Sequence, residues 1–194
     1  SSFERLGSTA IKVGGAFFAA RGMISGISTV INLAAQQELA EKKLQTALGG
    51  STRALLDQAS ALQKVTTFGD EAIIEQMSFL AALNLSEEQI TRMIPLALDL
   101  ASATGLSLES AVRNTAKTFS GLTGELGELL PQLKDLTTEE LKAGDALDVI
   151  AELMGGAAQE NTKTLAGKLG QTKNAVLDAG ESLGELLAPA VIHT

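Results

Sequence analysis

Apolar positions at the start of the chain recur with the period of a helix. Phe3, Leu6, Ala10, Val13, Phe17, Ala20, Ile24, Ile27, Ile31 and Ala34 follow one another at steps of three and four without a miss. Such a seam holds one apolar stripe on one side of a helix over successive heptads, as in a coiled coil. After Ala34 the phase moves to Leu33, Ala40, Leu44 and Ala47, as a stutter produces. The pattern predicts one long helix over 3–48, ended by Gly49 and Gly50, with Ser51 placed to cap the next.

A second seam lies near the other end. Leu165, Leu169, Thr172, Val176, Ala179, Leu183, Leu186 and Ala190 again step by four and three, diluted by Thr172 and the alanines. It predicts a long helix that opens at Gly155–Gly156 and runs to about Ala188.

Between the seams the periodic runs are short. Helices are predicted over 52–66, from a cap at Asp70 to about Leu85, and from the capping-box sequence Ser86–Gln89 to Thr104, where Pro95 would kink the helix or mark its start. Ser107 caps a further helix to about Ser120, and the leucine-rich stretch after it reads as irregular turns. Thr137–Glu140 is a second capping box, opening a helix that ends near Met154. No run alternates as a strand does. The expected fold is therefore all-α. Its parts are a long N-terminal heptad helix (1–50), a compact multi-helix module (51–155) and a long C-terminal helix (156–194) that continues beyond this segment. The long helices are coiled-coil-like rods flanking the module. A start without Met and an end in apolar sequence fit a piece of a longer chain.

Glycine complicates the helices. Each glycine inside a helix costs about 1 kcal/mol relative to alanine, yet the last helix carries Gly167, Gly170, Gly180 and Gly184. Gly180 and Gly184 form a G-x-x-x-G spacing, as do Gly22 and Gly26, and small residues so spaced let helix backbones approach closely. The alternative is that they mark kinks in a weak helix.

Charge and chemistry narrow the function. A formal net charge of −8 disfavours a nucleic-acid surface, which needs a basic stripe. With no Cys there is neither a disulfide nor a thiolate metal site. The single histidine, His193, has no partner acid or cysteine near it in sequence, and no phosphate-binding glycine loop occurs. Glu125 and Glu128 share a helical face and would suit an acid–base pair, but such carboxylates more often form a solvated face. Asn84–Ser86 matches a glycosylation acceptor, a pattern common by chance. Met77, Met93 and Met154 fall on apolar helical positions and read as core filler. No catalytic, cofactor or metal residue is expected. The stretch Val13–Ala35 approaches the length of a bilayer span, but Arg21 at its middle and several polar residues weigh against one.

From about Ile94 to Ala190 the chain resembles phage tail tape measure proteins. The residues that carry this are "LALDLASATGLSLESAVRNTAKTFSG", "GELGELLPQLKDLTTEELKAGDALDVIAELMGG" and "AAQENTKTLAGKLGQTKNAVLDAGESLGELLAP", in the order and spacing of that family. Asn161, Thr162 and Thr172 depart from it, standing where the family favours small apolar residues or leucine. The resemblance implies a helical ruler in the lumen of the tail tube, without an active site. It also implies a homo-oligomer, trimer or hexamer, contacts with tail tube and tail tip or baseplate proteins, and ejection on infection with transient contact to the host membrane. No stable nucleic-acid binding is implied; the location would be the virion, and the host cytoplasm during assembly. Two rival readings are a membrane-active or scaffold helical protein without a ruler role, and a helical enzyme or regulatory domain.

Overall fold

A computed structural model describes residues 31–32, 34–50 and 52–192, and within the last helix the side chains as far as 183 and at 185. Among these the chain is all-helical, with no strand. It divides into two units: residues 38–175 form one, and 1–37 with 176–194 form the other.

The unit of residues 38–175 is built around one central helix. α1 (34–48) enters it and inserts Leu44, fully buried, with Ala40 and Leu48 beside it. The shifted phase seen in sequence thus points Ala40 and Leu44 inward, but Ala47 is exposed. α2 (Arg53–Val65), α3 (Asp70–Ala82) and α5 (Leu108–Thr118) pack around α4 (Glu87–Thr104), joined by α8 (Ala146–Met154) and α9 (Ala157–Thr162). Ile90, Met93, Ile94, Ala97, Leu98, Leu100 and Ala101 of α4 are all buried, so this helix is enclosed on most of its circumference. α5 presents Leu108, Ala111, Val112, Thr115 and Ala116 to it at the i, i+3, i+4 spacing of one face. Between α5 and α8 run the short α6 (Leu126–Leu129), a 3₁₀ turn (Pro131–Asp135) and α7 (Thr138–Ala143), as the irregular leucine-rich stretch predicts. Met77 and Met93 are fully buried, and Met154 is partly so.

Both capping boxes form. The Ser86 hydroxyl accepts from the Gln89 N–H while the Gln89 side chain accepts from the Ser86 N–H, and Thr137 and Glu140 repeat the exchange. The backbone N–H and hydroxyl of Thr137 hold the Glu140 carboxyl below the usual carboxylate range. That contribution is present above the ordinary carboxylate range and is lost as pH falls through the lowered value. Ser107 caps α5 as expected. Replacing Ser86 with Ala is expected to lower the stability of this unit by about 1 kcal/mol, read from the denaturation midpoint at unchanged m-value.

Three expectations are corrected by the structure, and one left open is decided. Asp70 is the first residue of α3 rather than its cap; the cap residue is Gly69, and the Asp70 N–H donates to the Gln63 side chain of α2 at 2.7 Å. Pro95, open between the helix start and its interior, lies inside α4. Proline has no N–H to give the carbonyl four residues back, and Gln58 of α2 donates to that Thr91 oxygen at 2.8 Å instead. The helix expected from Thr138 to Met154 is two, divided at Gly144, whose φ of +97° ends α7 in the left-handed region and lets both α7 and α8 bury leucines. The final long helix is also two. α9 ends at Thr162 and α10 (Leu165–Ile192) begins after Lys163 and Thr164. No described helix is long and apolar enough to cross a membrane.

Candidate interaction face

α9 is set in place by a carboxylate from another helix. Asp99 of α4 is buried, and its two oxygens accept the N–H groups of Gly156 and Ala158, each at 2.9 Å. These N–H groups open α9, where no intrahelical partner exists and the helix dipole favours a negative charge. Gly156 reaches this position at a φ of +85°. Asn161 completes the attachment by donating to the Ser102 carbonyl at 3.1 Å.

The chain then turns and α10 departs. Thr164 makes the turn: its hydroxyl donates to the Asn161 carbonyl at 2.8 Å and accepts the Gly167 N–H at 2.9 Å. Gly167 is buried against the end of α9. A Cβ there would overlap the Asn161 carbonyl oxygen and lie 2.7 Å from the Thr162 Cα. One turn on, Gly170 passes Thr67, and the amides of Gln171 and Asn174 donate to the carbonyls of Lys64 (3.0 Å) and Thr67 (3.4 Å). Small and amide residues therefore form the face of α10 that meets the α2–α3 corner. Gly167 thus makes a close backbone approach between segments of one chain and Gly170 an ordinary contact; the G-x-x-x-G pairs Gly22–Gly26 and Gly180–Gly184 take no part in either.

The other face of α10 carries the second seam. Leu165 is 77% exposed, Leu169 64%, Val176 66% and Leu183 54%, and Thr172 and Ala179 between them are exposed too. Leu186 and Gly184 lie in α10, with side-chain positions outside the described residues; Gly180 is half-buried. Of the first seam, Ile31 and Ala34 are helical and half-buried. Phe3, Leu6, Ala10, Val13, Phe17, Ala20, Ile24 and Ile27 lie outside the described residues, as do Gly22, Gly26, His193 and most of Val13–Ala35.

Among the described residues, two of the grooves on the 38–175 unit are shallow and open. The larger, about 490 Å³, is lined by Phe79, Leu83, Arg113, Asn114, Lys117 and Glu125 among others. Arg113 stacks 4.6 Å over the Phe79 ring and pairs with Glu109, and Asn114 bridges Lys117 and Glu125. Glu128, the candidate partner of Glu125, is exposed and pairs instead with Lys134 at 2.7 Å. The smaller groove, of about 380 Å³, includes Arg92, which pairs with Asp148 at 2.6 Å.

Asp99, Gln171 and Asn174 are the residues that reading by periodicity passes over. The two amides did leave a signal: they stand three apart beside Gly167 and Gly170, on the side of the helix away from the leucines. Asp99 left none, because its partners stand more than fifty positions away. In comparison with known proteins, the chain matches no family model, no curated protein and no solved structure.

Proposed function

We propose that this chain serves as a tape measure in a phage tail. It would lie in the tail tube lumen, pair with further copies of itself along its seams, and set tail length by its own extent. The observation that carries the reading is the seam on α10. Four large apolar side chains at heptad spacing stand in solvent along one side of a 28-residue helix, while the opposite face carries glycines and amides. Burying a leucine or valine side chain contributes about 1.5–3 kcal/mol, so a stripe of this kind favours helix pairing. A coiled-coil rod of parallel copies is the arrangement heptad spacing serves best. The resemblance between Ile94 and Ala190 agrees, since it spans α4 to α10 and names a helical ruler.

A helix advances about 1.5 Å per residue, so helical sequence converts residue count into length. Low aromatic content and abundant small residues suit several chains in a narrow lumen. The negative charge would keep the ruler from adhering to DNA that must pass the same channel. Tail tube and tail tip or baseplate proteins are the remaining partners, with the host membrane met only on ejection. In this role the chain has no catalytic step and needs no cofactor.

Duplicating Leu165–Ile192 in frame in the phage gene tests the reading. The 28 added residues are four whole heptads and keep the seam in register. Tails longer by about 42 Å, at about 1.5 Å per residue, are the expected result in electron micrographs. Assembled tails of unchanged length would overturn it and favour a scaffold without a ruler role.

A further inference from the structure

We infer that the groove between α3 and α5 is a docking site for a partner protein, and that it takes a carboxylate side chain flanked by aliphatic residues. The groove has two unlike walls. Phe79 and Leu83, four apart at the end of α3, form an apolar one, and Leu83 is 48% exposed. Arg113 and Lys117, four apart on α5, form a cationic one. Both cations are held in place with donors to spare. The Arg113 guanidinium lies 4.6 Å over the Phe79 ring, and Glu109 accepts only its Nε–H, at 2.9 Å. Its terminal amino groups have no protein partner among the described residues. A carboxylate matches that end of the guanidinium, accepting two parallel N–H bonds. Lys117 makes no ion pair among the described residues, and its Nζ meets the Asn114 side-chain oxygen at 3.4 Å, a long hydrogen bond.

One acid opposes them. Glu125 also lines the groove and accepts from the Asn114 amide at 3.4 Å. The lining therefore carries two cations, Arg113 and Lys117, against one carboxylate. That local excess of positive charge stands on a chain of net charge −8, so it marks a place where an acidic group from outside is attracted. The shape selects the kind of occupant. A pocket for a small molecule buries about 70–90% of its ligand, which a shallow, open groove of about 490 Å³ does not do. Such a groove suits side chains projecting from a larger surface, with the rest of that surface supplying further contact. An arginine braced on an aromatic ring is the kind of residue that anchors protein interfaces. The aliphatic neighbours of the incoming carboxylate would cover Phe79 and Leu83, and excluding water there strengthens the ion pair. This site goes beyond the ruler reading and stands independently of it.

The test adds a capped peptide, acetyl-Leu-Glu-Leu-Leu-amide, to the isotope-labelled whole chain and follows its amide chemical shifts. Saturable shifts are expected at the groove residues of α3 and α5 and at the Arg113 Nε–H, with a dissociation constant of about 1 mM or below. The same peptide with Gln in place of Glu should bind about tenfold more weakly. Arg113→Met, which keeps a stem but removes the charge, should weaken binding of the acidic peptide about tenfold. Glu125→Gln, which removes the opposing carboxylate and keeps an oxygen for Asn114, should tighten it about threefold. Both side chains are exposed, so both variants should keep the fold, as circular dichroism checks. Equal binding of the two peptides, or unchanged affinity in folded Arg113→Met, would overturn the site. Equal shifts with sodium acetate alone would also overturn it, leaving an anion site without a docking surface, and so would the absence of shifts at the groove. If Arg113→Met does not fold, Glu125→Gln and the peptide pair decide. Tail length does not enter this assay, so the site can fail while the ruler reading stands, and the reverse.

Discussion

Asp99→Ala is expected to cost the 38–175 unit about 3 kcal/mol. The carboxylate is buried and accepts two N–H groups at the start of α9, at 2.9 Å each. Removing it leaves both donors without their partner: the Ala158 N–H is buried, whereas Gly156 is exposed and water reaches its N–H. Hydrogen bonds to a charged group contribute about 1.5–3 kcal/mol each, and loss of an ordinary cap costs about 0.5–2 kcal/mol. Two bonds at one carboxylate are not additive, so a value near 3 is the reasonable expectation. Against a total stability of about 5–15 kcal/mol for a domain, that is a large share. Asp99→Asn keeps one accepting oxygen but turns an NH2 donor toward the other N–H, so it should cost at least one charge-assisted bond, about 1.5–3 kcal/mol. Chemical denaturation followed by circular dichroism measures both. A loss under about 1 kcal/mol for the alanine variant would mean that solvent replaces the carboxylate, and that α9 is less firmly anchored than its hydrogen bonds indicate.

Leu98→Ala is expected to cost about 3–4 kcal/mol. Leu98 is fully buried on α4, the helix against which α2, α3, α5, α8 and α9 all pack. Truncation removes its transfer free energy and leaves a cavity that several rigid neighbours cannot jointly close. Leu98→Met, which nearly conserves volume, should cost less than about 1.5 kcal/mol. Leu169→Ala provides the contrast. That leucine is 64% exposed, so its loss should change the stability of a single chain by no more than about 0.5 kcal/mol. Denaturation midpoints at low protein concentration check all three. A large effect at Leu169 would show that the seam is already covered in solution, and a small effect at Leu98 would contradict the central place of α4.

Much of the local structure was legible because its causes are local. The capping boxes at Ser86 and Thr137 involve partners three residues apart, and both formed as read. The Ser107 cap and the break at Gly105 are of the same kind. The helix opened by Ser107 formed as α5, and its Leu108, Ala111, Val112 and Ala116 are buried. The seam on α10 was legible as a pattern, though not its relation to the core, since spacing says which residues share a face and not what faces them.

Apart from the local break at Gly144, the differences share one physical origin. Gln58 supplying the Thr91 carbonyl that Pro95 leaves open, Gln63 capping α3, and Asp99 capping α9 all meet a helix's unpaired groups from elsewhere in the chain. Backbone groups at a helix end must find partners, but sequence cannot say that the partner stands on another helix. The same holds for the bend before α10, where periodicity ran straight on and contacts with Asn161, Lys64 and Thr67 turned the chain.

By itself, then, the sequence determined an all-helical chain, most of its helix starts, its apolar faces and its lack of cysteine, because these follow from composition and from neighbours within a turn or two. Only the tertiary structure decided that α4 would be the enclosed helix, that one predicted rod would break into α9 and α10, and that the glycine and amide face of α10 would dock while its leucines stayed in solvent. Those outcomes depend on groups far apart in the chain competing for the same hydrogen bonds and the same space, and that competition exists only once the helices have packed.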